Sequence, residues 1–164
     1  AQMGFIPKNA KWYLAYLVEE IRVEGERRNV VHTNCTLIRA DSPEEAHTRA
    51  IALGKRGNSR YKNVNGKMVT IRFRGVRELN VIHDELEHGA EISFSRNVAV
   101  SEKEIKGWLL PKQRLGVFAP IQPSEGPDYA SAEVIQEVYK RWPSLRGVRG
   151  PGYKNSKKQR KGKR

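Results

Sequence analysis

Two histidines and three carboxylates fall within six residues at His83-Asp84-Glu85-Leu86-Glu87-His88. All five are ligand types for a divalent metal. A metal-dependent enzyme built on His83, Asp84, Glu85 and His88 is the chemistry they would serve. The spacing argues against it. A helical zinc site sets its histidines four apart on one helix face, whereas His83 and His88 are five apart and point in different directions. A solvated acidic turn between strands is the simpler expectation. His32 and Cys35 are the next pair. They lie three apart on a predicted strand, and odd spacing puts them on opposite faces. The chain has one cysteine, so no zinc knuckle is available. A nucleophilic cysteine also needs a positioned base. Cys35 is therefore expected to be a buried, inert thiol. Gly147, Gly150 and Gly152 do not follow the dinucleotide fingerprint, no strand precedes them, and no P-loop string exists. No catalytic residue, metal ligand or cofactor is assigned, and the chain is read as a non-enzyme.

The positive charge is more informative. The 164 residues carry a formal charge of +13. Eleven Lys or Arg follow Glu137, the last acid, which leaves only +2 on residues 1 to 137. A block of like charges without apolar anchors does not collapse and serves as an interaction tail. Its natural partner is a polyanion, most commonly DNA or RNA. The expected phosphate contacts are Lys154, Lys157, Lys158, Arg160, Lys161, Lys163 and Arg164. Tyr153 is the single aromatic after Trp142, so contact without base readout is expected. Arg72 and Arg74 share the polar side of a predicted strand near Tyr61 and Lys62. They are candidates for a second, sheet-borne basic face, with Arg96 a possible addition from a neighbouring strand.

These groups must be carried by a modest core. Residues 1–10 read as a flexible N-terminus, 11–110 as an α+β domain, 111–130 as a Pro-rich linker, 131–143 as a helix and 144–164 as a basic disordered tail. Residues 11–24 read as a strand with apolar residues on both faces, hence a central one. Val30–Arg39 follows as an antiparallel neighbour. Ser42-Pro43-Glu44-Glu45 is a helix start: the Ser caps, Pro suits the first position and Glu45 reaches back. Ala46, Ala50 and Leu53 form its apolar stripe, and Gly54 is its expected terminator. Asn65-Gly66 marks a tight turn between 61–64 and 67–74, and Gly75 a bulge before 76–81. Residues 91–100 alternate as a further strand, and Ser101-x-x-Glu104 opens a short helix. The fold class is α+β: a mainly antiparallel sheet in the order β-β-α-β-β-β-α, plus a C-terminal helix and the tail. Trp12, Tyr16, Leu17, Ile38, Ile71, Phe73, Ile92 and Phe94 are the expected core.

No apolar run approaches the ~18 residues of a membrane span, and no signal peptide is visible. With one cysteine, a cytoplasmic location is expected. Asn34-Cys35-Thr36 fits a glycosylation acceptor by chance only.

The order Trp12-Tyr13-x-Ala15-x-Leu17, Ile38-Arg39-Ala40-Asp41-Ser42-Pro43-Glu44-Glu45-Ala46, Tyr61/Asn65-Gly66, Phe73-x-Gly75-Val76 and Asp84-Glu85-Leu86-x-x-Gly89-Ala90-Glu91-Ile92 resembles a small, mostly bacterial family of uncharacterised single domains. The resemblance spans roughly residues 11 to 100. It implies a compact α+β domain and supplies no catalytic residues. Two functions follow as expectations. The first is a non-enzymatic protein tethered to nucleic acid by its tail, its domain contacting a protein partner. The alternative is a protein-binding inhibitor of the immunity or antitoxin type, with the tail incidental.

Overall fold

The computed structural model describes residues 4–120 and 125–146. Its sheet has four antiparallel strands in the order β2-β1-β4-β3. These are β1 (Trp12–Val23), β2 (Val30–Arg39), β3 (Ser59–Lys62) and β4 (Met68–Val81). The two-faced pattern of β1 puts it between β2 and β4, as a central strand requires. Tyr13, Ala15, Leu17, Ile21 and Val23 are all buried on one face, and Leu14 is buried on the other. Two register shifts between β1 and β4 leave Arg77 and Arg74 as the extra residues. The second bulge adjoins Gly75, whose φ of 150° disfavours any side chain.

Helix α1 (Pro43–Arg56) links the two edge strands β2 and β3, so it must cross a whole face of the sheet. Local chemistry starts it: Ser42 Oγ accepts the Glu45 N–H at 3.1 Å, and Glu45 Oε2 accepts the Asp41 N–H at 2.7 Å. Ala46 and Ala50 are fully buried against Tyr13, Ala15, Leu17 and Ile38. Small side chains permit that close approach. Gly54 belongs to the same stripe and does not end the helix. The helix continues to Arg56 and is capped at Gly57, whereas a Cβ on Gly54 would collide with the Phe73 ring.

The second half of that face is covered by residues 126–131, which lie across Ile21, Val23, Val69 and Ile71. Asn63, 2% exposed, fastens them. Its Nδ2 donates to the Asp128 carbonyl at 2.6 Å, and its Oδ1 accepts the N–H groups of Asn65 and Lys67. Tyr61 donates its hydroxyl to the Tyr129 carbonyl, and Val64 N–H to Ala130. Residues 126–130, expected as part of a Pro-rich linker, are thus packed against the sheet.

The α+β class and the antiparallel sheet stand, but the fifth expected strand does not form. Residues 91–100 pair with nothing. β3 pairs only with Met68–Ile71, so the rest of β4 keeps a side without a strand among the described residues, and 91–100 does not take it. Ala99, at φ 58°, also breaks the extended run. Ile92 and Phe94, expected in the core, are 49% and 76% exposed. Of the other expected core residues, Leu17 and Ile38 are buried, while Trp12, Tyr16, Ile71 and Phe73 are half-buried. Helix α2 (Glu102–Trp108) has the full capping box between Ser101 and Glu104, yet buries no residue. Helix α3 (Ala132–Arg141) is capped by Ser131 and followed by Pro143. No helix among the described residues is long and apolar enough to cross a membrane.

Candidate polyanion-binding face

The face of the sheet opposite α1 carries a group of cations whose positions follow from strand register. Directly paired residues point the same way. Thr70 is opposite Arg22 on β1 and Arg60 on β3, which sets Arg22, Thr70 and Arg60 in one row. Arg72 is opposite Glu20, and Lys62 is opposite Met68, on the same face. Arg74, the bulge residue, reaches this face too, because its Nη1 lies 2.7 Å from Glu20 Oε2. Five cations therefore gather at one end of the sheet: Arg22, Arg60, Lys62, Arg72 and Arg74. All five are exposed.

Glu20 organises them. Its side chain is only 11% exposed, and it takes Arg22 at 2.7 Å on Oε1 and Arg74 at 2.7 Å on Oε2. Asn29 Nδ2 donates to Oε1 at 2.8 Å. The Asn29 hydrogen bond, with Arg22 and Arg74 beside it, holds this carboxyl below the usual carboxylate range. Arg60, Lys62 and Arg72 make no ion pair among the described residues and keep their donors for a ligand. Glu24 accepts the Met68 N–H at 3.1 Å at this end, and Glu26 pairs with Lys67 at 3.4 Å. An array of guanidinium and ammonium groups on a rigid sheet can hold phosphate oxygens by charge-assisted hydrogen bonds.

Arg72 and Arg74 share one side of the sheet, as expected, although Arg74 does so from a bulge, and Lys62 lies on the same side opposite Met68. Tyr61 is not part of the face; it points to the covered side, where its hydroxyl bonds Tyr129. Arg96 does not join either, because residues 91–100 are not in the sheet. Sequence reasoning missed Arg22 and Arg60. Their proximity follows only from the strand order, which no local pattern encodes. The seven tail residues Lys154, Lys157, Lys158, Arg160, Lys161, Lys163 and Arg164 lie outside the described residues.

The other candidates separate. Cys35 is exposed, contrary to the expected buried thiol, because β2 is an edge strand and Cys35 is on its uncovered face. His32 is on the covered face, where Nε2 lies 3.3 Å from the Tyr129 hydroxyl. His83 stacks on Phe5 with ring centroids 6.3 Å apart, and Asp84 Oδ2 accepts the Glu91 N–H at 2.9 Å. No three His, Cys, Asp or Glu among the described residues are grouped to hold a metal ion.

Residues 12–93, half of the chain, match the family model described as "Domain of unknown function (DUF4288)", and the chain belongs to that family. No curated protein and no solved structure matches it.

Proposed function

We propose, with this DUF4288 membership as the premise, that the chain is a non-enzymatic binding protein that grips the phosphate backbone of DNA or RNA in a bacterial cytoplasm. The observation that carries this reading is the face bearing Arg22, Arg60, Lys62, Arg72 and Arg74, an array of cations around one carboxylate already engaged by two of them. The eleven cations after Glu137 extend the same chemistry along the chain. Such contacts position a nucleic acid without reading its sequence.

A protein partner is the second part of the reading. Trp108, Leu109, Val117 and Phe118 are 58%, 70%, 88% and 55% exposed in the segment after the family domain. Large apolar side chains left this exposed favour a protein contact. The same segment supports the rival reading, an inhibitor of the immunity or antitoxin type. Salt dependence separates them. Engagement of about six phosphates gives a log–log slope near −5 on duplex DNA. Replacing Lys154, Lys157, Lys158, Arg160, Lys161, Lys163 and Arg164 with Gln should then remove most of the affinity. A slope near zero favours the inhibitor.

A further inference from the structure

A cavity of about 580 Å³ opens at the end of the sheet far from the cationic face. Its walls come from the start of α1 at Pro43, the end of β4, residues 4–6 and the segment after β4. Four rings line it, Phe5, Tyr13, Phe94 and the imidazole of His83, which stacks on Phe5, together with two carboxylates, Asp84 and Glu91. No Lys or Arg among the described residues lines this cavity. We propose that the cavity binds a small organic cation, an ammonium group carried on a flat apolar body.

Three observations support the ligand class. Aromatic faces attract cations through the ring quadrupole, and adjacent carboxylates add Coulomb attraction. Asp84 uses one oxygen to hold the Glu91 N–H, which fixes the segment and leaves Oδ1 for a ligand. At the inner wall, burial foremost and then Glu44, Asp41 and Glu45 raise the Tyr13 hydroxyl, against an opposing pull from Lys11. The start of α1 does not turn this into an anion site. Pro43 has no N–H, Ser42 Oγ takes the Glu45 N–H, and Glu44 and Glu45 occupy the first turn. The volume is that of a small-molecule site. Phe5 and Phe94, 80% and 76% exposed, are the lips such a ligand would cover. Most of the lining lies within residues 12–93, so the site belongs to the family domain and is independent of the polyanion reading.

The test is an NMR titration of the full chain with phenethylamine, against phenylacetate as an anion of similar size. The expected result is saturable shifts at Tyr13, Asn80 and Val81 with the amine, at least about tenfold weaker with the carboxylate. Asp84→Asn and Glu91→Gln should each weaken the amine roughly fivefold, with thermal midpoints unchanged. Phe94→Ala should weaken it by a similar factor. Equal responses to both probes, shifts confined to another surface, or no saturable shift up to ~10 mM amine would each overturn the proposal.

Discussion

Gly54 on α1 and Phe73 on β4 are in contact so close that a Cβ on the glycine has no room beside the ring. This contact lets α1 lie close to the sheet on its way from one edge to the other. Alanine at Gly54 gains about 1 kcal/mol of helix propensity, but overpacking against a ring costs about 1–3 kcal/mol. Gly54→Ala should therefore be destabilising by about 1 kcal/mol in urea unfolding. Phe73→Ala should cost about 3 kcal/mol, the lower end for a ring because Phe73 is only half-buried. In the double variant the two effects should be strongly non-additive. A stabilising Gly54→Ala would show that the ring yields freely.

Glu20 ties the cationic face to acid stability. Its folded pKa is depressed, foremost by Asn29 and then by Arg22 and Arg74. A depressed carboxyl contributes stability above its unfolded value of about 4.3, and that contribution disappears as pH falls through the folded value. The thermal midpoint should therefore drop as pH is lowered through that window. Glu20→Gln should start lower at neutral pH and show a smaller further drop. Asp41, held down by Lys11, leaves some acid sensitivity in the variant. Parallel pH curves for the two proteins would show that Glu20 is not the source.

The legible parts of this fold were those set by near neighbours. Ser42, Pro43 and Glu45 specify a helix start within four residues, and the two-faced apolar run of β1 specifies a central strand. What failed depended on distant chain. The alternation of 91–100 is strand-like, but alternation does not name a partner, and the side of β4 beyond β3 is left without a strand among the described residues. Gly54 has the same sequence signature whether it ends a helix or packs against a ring, and Phe73 decides between them. Two of the five cations on the candidate face were legible as a pair because Arg72 and Arg74 share one strand. Arg22 and Arg60 became neighbours only through Thr70, which stands between them.

Asn63 offers a test of how residues 126–131 are held. It bonds Asp128 across 65 positions of sequence and also fixes the turn at Asn65 and Lys67. Asn63→Ala removes both roles and leaves buried backbone groups without partners, at a cost of about 3 kcal/mol. Hydrogen exchange should accelerate at Val64, whose N–H bonds Ala130, and over the turn, before it does in β1. Uniform acceleration across the sheet would mean that these residues unfold with the core rather than as a separate layer.

The cationic face can be separated from the tail by its salt dependence. Arg60, Lys62 and Arg72 are exposed and make no ion pair among the described residues, so each is free to displace a counterion from a phosphate. Replacing all three with Ala should lower the magnitude of the log–log salt slope on duplex DNA by about 2–3, with the tail intact. Arg22→Ala should lower it less, because that side chain is already engaged by Glu20 at 2.7 Å. Stability should change by under about 0.5 kcal/mol for each of the three exposed positions. An unchanged slope in the triple variant would remove the sheet face from the binding surface and leave the residues after Glu137 as the sole phosphate contacts. A slope that falls by about 0.9, the share of one full phosphate contact, in Arg22→Ala alone would mean that Glu20 releases its partners when nucleic acid arrives.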